Sequence, residues 1–204
     1  VSRLVVASFN RAKAAEVAEI LAAEGLAFAL APLSDFPDLR LPPETGDTFA
    51  ANALAKARAA ARGTGLPAVA DDSGLEVEAL NGQPGVMSAR YAGEAASDEE
   101  RFHKVLALMA DVPEAQRTAR FRCAAAFVDP SGPELLAEGT VEGRIARAPA
   151  GSGGFGYDPI FVPEGRDVTM AQLTPEEKHA ISHRGRAFRA LARLMRERGE
   201  ASAG

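Results

Sequence analysis

Cysteine, lysine and long apolar runs are all scarce in this chain of 204 residues. A single cysteine, Cys123, excludes an intrachain disulfide and fits a reducing compartment. No stretch approaches the roughly 18 apolar residues of a membrane span. The first residues, Val1 to Ser8, lack the apolar core of a signal peptide, so a cytoplasmic location is expected. Positive charge is not in excess either. A net charge of -5 speaks against sequence-independent nucleic-acid binding, which needs a basic face. Lysine is outnumbered 4 to 19 by arginine, in a chain with 43 alanines. A compact point charge on a phosphate or a base suits lysine better than arginine, which draws attention to Lys13, Lys56, Lys104 and Lys178. What remains is ordinary: 47% hydrophobic and 25% charged residues, too apolar for disorder. The length suits one domain, or two small lobes sharing a core.

Strand and helix patterns alternate along the chain. Arg3 to Ala7 reads as a buried strand, and Ala14, Val17, Ala18 and Leu21 keep helical spacing from Ala12 to Glu24. Ala27 to Leu33 is a second strand candidate, followed by a proline-broken loop to Gly46. Asp47 or Thr48 caps a long helix running to Gly63. Ala68 to Ala70 is a short apolar run with Asp71, Asp72 and Ser73 at its end, and Asn81 to Gly85 has turn chemistry. Ser97 and Glu100 form a capping box for a helix ending near Met109. Arg120 to Val128 alternates as a strand. Glu134 to Ala148 returns as another, with a break near Gly143. Thr174, Pro175 and Glu177 start a helix, and Ser182 caps the last one, whose Phe188, Leu191, Ala192 and Met195 form one stripe. The tail after Gly199 reads as low in complexity. The mixture gives an α/β or α+β class with a mixed sheet.

Four segments carry chemistry. Ser8-Phe9-Asn10-Arg11-Ala12-Lys13 joins a strand to a helix start, where unpaired backbone N–H groups bind anions; the plain alternative is helix capping. Glu44 and Asp47 precede a helix, and Asp71 and Asp72 follow a strand. Paired carboxylates are hard oxygen ligands suited to Mg²⁺, and one of them could take a proton from water; the plain alternative is dipole and turn chemistry. Gly151 to Asp158 is glycine-rich, so its backbone can approach a ligand closely, with Phe155 and Tyr157 able to stack on a base. Glu177 to Arg184 holds the donors Lys178, His183 and Arg184, suited to carbonyl oxygens of a base or simply to a solvated helix start. His179 and His183 have zinc-like spacing, but only His103 and Cys123 remain as third ligands, both in ordinary contexts, so zinc is not expected.

Taken in order, these segments resemble the non-standard purine nucleoside triphosphate pyrophosphatases, the inosine triphosphatase or XTP/dITP diphosphatase family. Glu44-Thr45-Gly46 with Asn52 and Lys56, Ala70 to Leu75, Pro84-Gly85 with Ser88 to Tyr91, Gly153 to Asp158, and Lys178 with Ile181 to Arg184 carry the resemblance over nearly the whole chain. One departure is Ser8-Phe9-Asn10, where the family has Thr-Gly-Asn or Thr-x-Asn. The resemblance implies an elongated mixed sheet flanked by helices, forming two lobes around a central cleft in a single domain over 1–204, and a homodimer. It implies hydrolysis of ITP, dITP or XTP to the monophosphate and pyrophosphate with Mg²⁺. Glu44 and Asp72 would hold the metal, with Asp72 the proton acceptor. Ser8, Phe9, Asn10, Arg11, Ala12, Lys13 and Lys56 would cradle the triphosphate, and Ser73 would also contact the substrate. Phe155, Gly156, Tyr157 and Asp158 would hold the base and sugar, and Lys178, His183 and Arg184 would read the 6-oxo purine. Donors aimed at a 6-oxo group are left unpaired by adenine, at roughly 1–3 kcal/mol each.

Three rivals compete. Maf-like nucleotide pyrophosphatases act on pyrimidine or modified nucleotides, but usually carry Ser-x-Ser-Pro-Arg where this chain has Ser8-Phe9-Asn10-Arg11. A non-catalytic nucleotide sensor would not need Glu44, Asp71 and Asp72 intact. An RNA-binding module built on the Arg-rich C-terminal helix conflicts with the acidic total.

Overall fold

The computed structural model describes residues 3–199, except the side chains of Arg11 and Ala12. In chain order the elements are β1 (Arg3–Val6), α1 (Arg11–Ala23), β2 (Ala29–Ala31), α2 (Phe49–Thr64), β3 (Ala68–Val77), α3 (Asp98–Leu108), β4 (Thr118–Val128), β5 (Glu134–Ile145), β6 (Phe161–Pro163), α4 (Pro175–Ile181) and α5 (His183–Glu197). Short 3₁₀ turns punctuate the connections. The six strands form one sheet in the order β2-β1-β3-β4-β5-β6. It is mixed. β1 runs parallel to β2 (Leu4 opposite Leu30) and to β3 (Val6 opposite Val69), while β5 and β6 are antiparallel, with Arg144 opposite Val162. The class is α/β, as the residue pattern and the resemblance led one to expect.

The chain divides into two units. Unit 1 takes the chain up to Asp72, Cys123–Gly139 and the chain from Arg184 onward; unit 2 takes Ser73–Arg122 and Thr140–His183. The core of unit 1 gathers Leu4 and Val6 from β1, Val17 and Leu21 from α1, Val69, Phe127 from β4, and the predicted stripe Phe188, Leu191, Ala192 and Met195 of α5. Those four α5 side chains are completely buried, and full burial of each large one contributes about 1.5–3 kcal/mol. The core of unit 2 packs Leu75, Val77, Phe102, Val105, Phe121, Ile145, Tyr157 and Phe161.

α2 shows how sequence shapes the site. Thr48, not Asp47, is its N-cap, accepting from the Ala51 amide. Its buried positions are Phe49, Asn52, Ala53, Lys56, Ala57, Ala60 and Ala61, one helical face in which Asn52 and Lys56 stand among alanines. Small side chains let this face pack closely, so the two polar ones are carried into the protein interior.

Three expectations need correction, and one strand was not read from the sequence. β3 does not stop after Ala70 but continues through Val77, because Leu75 and Val77 supply buried side chains further along. Asp71 and Asp72 therefore sit inside a strand, not at its end. β5 runs unbroken through Gly143. That glycine is a place of close approach, since a Cβ there would lie 2.7 Å from the Phe161 ring. β2 is only three residues, because Pro32 is followed by a 3₁₀ turn. β6 had no periodic signal in its three residues, all buried.

Candidate functional site

Unit 1 brings together the α1 start, the acids of β3, and the polar residues of α2. β1 leads into Asn10, which caps α1 by accepting from the Lys13 amide at 3.1 Å. Ser8 Oγ accepts from the Asn10 amide at 3.2 Å. Phe9 is 71% exposed. Arg11 and Ala12 open the helix, but their side chains lie outside the described residues. The first turn, Arg11-Ala12-Lys13-Ala14, contains no acid, so the positive end of the helix is not neutralised from within.

Side chains of consecutive strand residues point to opposite faces, and Asp71 and Asp72 accordingly have different surroundings. Asp71 is paired with cations: its Oδ2 lies 3.0 Å from Lys13 Nζ and 3.3 Å from Arg184 Nε, with Cys123 Sγ at 3.8 Å. Arg184 is in turn held by Glu16, Nη1 to Oε2 at 3.0 Å. Burial opposes ionisation of Asp71, but Lys13, Arg184 and Lys56 together outweigh it and hold the carboxyl well below the usual carboxylate range. Burial likewise opposes the charge of Arg184, and Asp71 foremost outweighs it, raising the guanidinium's pKa.

Asp72 meets a neutral partner and a like charge. Asn52 Nδ2 donates to its Oδ2 at 2.8 Å, while Asn52 Oδ1 accepts from the Gly46 amide at 2.7 Å. One amide thus ties the Glu44-Thr45-Gly46 loop to Asp72. Burial first, and the Glu44 carboxylate second, push the Asp72 carboxyl above its ordinary value; Lys56 and the Asn52 bond offset this only in part. Lys56 Nζ donates to the Asp71 carbonyl at 2.6 Å and pairs with Glu44.

This donor set fits a magnesium ion. Mg²⁺ takes one or two carboxylates and keeps water and substrate phosphates in its other positions. Glu44 and Asp72 offer two carboxylates whose charges oppose each other, an opposition that a divalent cation would relieve. No group of three or more His, Cys, Asp or Glu placed to hold a metal is found among the described residues.

Unit 2 gathers the other predicted residues. Asp158 is buried, and its Oδ2 accepts from the Phe155 amide at 3.0 Å and from Lys178 Nζ at 2.6 Å. Lys178 Nζ also sits 4.7 Å from the centre of the Phe155 ring, within cation–π range. Gly154 has φ +75°, and a Cβ there would crowd Lys178 Nζ at 3.0 Å, so the tight loop requires glycine. Phe155 is 50% exposed, whereas the Tyr157 ring belongs to the core and its hydroxyl donates to the Ser88 carbonyl at 2.8 Å. Of the two aromatics, Phe155 is the one available for stacking. His183 is buried and stacked on Phe121, ring centres 4.8 Å apart. Ser73 is half-buried in β3. Of the three proposed base readers, Lys178 and His183 fall in unit 2 and Arg184 in unit 1.

Sequence reasoning gave Asn52 no role of its own and passed over Glu16 altogether. Asn52 had a signal, since it lies four residues before Lys56 on an alanine face. Glu16 had none, because its partner Arg184 is 168 residues away.

The sequence profile of the Ham1 family matches residues 4–194. The chain belongs to the Ham1 family. It is 52% identical over 196 residues to a protein of Streptomyces coelicolor named dITP/XTP pyrophosphatase, covering 96% of this chain and 98% of that one. A Geobacter sulfurreducens protein of the same name is 52% identical over 190 residues, covering 93% and 94%. Among solved structures, a HAM1 protein from Coxiella burnetii superposes with TM-score 0.88 at 45% identity, covering 97% of this chain and 100% of that one. The structure described as nucleoside-triphosphatase / dITP/XTP pyrophosphatase from Mycobacterium abscessus superposes with TM-score 0.78 at 50% identity, covering 94% and 97%.

Proposed function

We propose that this Ham1-family chain hydrolyses the non-standard purine triphosphates ITP, dITP and XTP to the monophosphate and pyrophosphate, with Mg²⁺, as a cytoplasmic homodimer. Relatives about half identical over nearly their full length are named dITP/XTP pyrophosphatase, which makes the chain a nucleoside-triphosphate pyrophosphatase. The observation that carries the finer reading is the split between neighbours on β3. Asp71 is neutralised by Lys13 and Arg184, whereas Asp72 is left beside Glu44 with a raised proton affinity. A carboxylate with raised proton affinity is the better proton acceptor near neutrality.

In this reading the α1 N-terminus with Ser8, Asn10 and Lys13, together with Lys56, binds the triphosphate by donors and positive charge. Glu44 and Asp72 would hold Mg²⁺. Bound there, the ion would withdraw charge from the phosphate oxygens and make the anhydride easier to attack. Asp72, oriented by Asn52, takes the proton from the attacking water. Phe155 offers a face to the base, and Lys178, His183 and Arg184 donate toward a 6-oxo group. Adenine's amino group would leave such donors unpaired.

Pyrophosphate release from ITP, XTP, ATP, GTP, CTP and UTP tests this, with Mg²⁺ and with EDTA, on wild type and Asp72→Asn. ITP and XTP are expected to be cleaved far faster than ATP or GTP, only with metal, and Asp72→Asn is expected to be inactive. Binding of ITP without cleavage would favour a sensor. A preference for CTP or UTP would remove Lys178, His183 and Arg184 as purine readers.

A further inference from the structure

We infer that Asp98, the first residue of α3, is a positioning residue that clamps the glycine-rich loop of unit 2 and thereby sets the affinity for the base; this rests on the reading of that loop as the base-binding segment. Asp98 Oδ2 accepts from the Gly156 amide at 2.7 Å, 58 residues away in sequence. Its other oxygen, Oδ1, accepts from Arg101 Nη1 at 2.8 Å. The acid is therefore used from both sides: α3 supplies it together with the cation that orients it, and the loop supplies the donor. Arg101 is mostly buried, with side-chain exposure of 18%, while Asp98 is 45% exposed, so the pair lies at the protein surface with its cation side packed inward.

The amide that Asp98 holds directly follows Phe155. Among the bonds that hold the loop are Gly153 N–H to the Ala171 carbonyl at 2.9 Å, Phe155 N–H to Asp158 at 3.0 Å, and Gly156 N–H to Asp98. The first comes from the 3₁₀ turn at Met170–Gln172 and the second from within the loop itself. Of these, the third ties it to α3, a helix anchored in the unit 2 core by Phe102 and Val105. Gly154 and Gly156 both have positive φ, +75° and +65°, so the residues flanking Phe155 are glycines with few steric limits of their own, and the hydrogen bonds of the loop hold its conformation. Without the Asp98 clamp, Phe155 would spend its time over several orientations, and a base would have to select one of them, weakening apparent affinity in proportion.

The test combines loop dynamics with kinetics. In Asp98→Ala, hydrogen–deuterium exchange across 153–157 is expected to rise. KM for ITP should increase on the order of three- to ten-fold, the range for losing one hydrogen bond of ordinary net strength, while kcat stays within about two-fold. Asp98→Asn should restore both readouts, because its carboxamide oxygen still accepts from Gly156. Asp98→Ser, too short to reach the loop, repeats the experiment if the alanine variant does not fold. The chain has no tryptophan, so Phe155→Trp adds a single fluorophore whose anisotropy should drop when Asp98 is removed. Unchanged exchange overturns the proposal, as does raised exchange with unchanged KM. Wild-type protein that fails to cleave ITP would instead sink the nucleotide reading, and the role in base affinity with it, while exchange and anisotropy still report the clamp itself.

Discussion

Two adjacent aspartates on one strand, with nearly opposite electrostatics, define the chemistry of unit 1. Asp71 lies 3.0 Å from Lys13 and 3.3 Å from Arg184. Removing it leaves the buried Arg184 with only part of its compensation. Breaking a buried pair from one side costs about 3–5 kcal/mol, and Glu16 remains, so Asp71→Ala is expected to destabilise by roughly 3 kcal/mol in urea unfolding. Asp72 is the reverse case. Burial first and the Glu44 carboxylate second oppose its charge, so Asp72→Asn is expected to unfold at no lower urea concentration than wild type while losing hydrolysis. Stability given up for function is common at active sites. A loss at Asp72 as large as at Asp71 would contradict this division of labour. The pair was visible in sequence as acids after an apolar run. Which of the two was free to act was not, because the deciding cations come from α1 and α5.

Among the elements, helix starts were the most legible, because their chemistry is local. Ser97 and Glu100 form the expected box: Glu100 Oε2 accepts from the Ser97 amide at 2.7 Å, and Ser97 Oγ accepts from the Glu100 amide at 3.2 Å. The Ser97 backbone bond first, then its hydroxyl, hold the Glu100 carboxyl below its ordinary value. A carboxyl whose folded pKa is depressed contributes stability above its unfolded pKa, near 4.3, and loses it as pH falls through the lower folded value. Stability measured by urea unfolding from neutral pH down to about pH 3 should therefore fall less steeply for Glu100→Gln than for wild type. Equal slopes would mean that the box does not couple to protonation. Strand ends were read less well. β3 and β5 run on past Asp72 and Gly143 because cross-strand pairing and burial outweigh local turn-like residues.

At the scale of the whole molecule, a homodimer is expected from the resemblance. Light scattering should give twice the 21.3 kDa chain mass, and a value of one chain mass at micromolar concentration would remove that expectation. No helix among the described residues is long and apolar enough to cross a membrane. The sequence by itself determined the α/β class, the capped helix starts, the α5 stripe and the residue types gathered around β3. These depend on periodicity and on contacts within a few residues, and both are written locally. Tertiary structure alone decided that Arg184 pairs with Asp71 and Glu16, that Tyr157 is core while Phe155 is exposed, and that Asp98 holds Gly156. Each of these joins residues far apart in the chain. Such pairings are selected by the packing of whole elements and by the cost of burying an unpaired charge, and neither has a signature in sequence spacing.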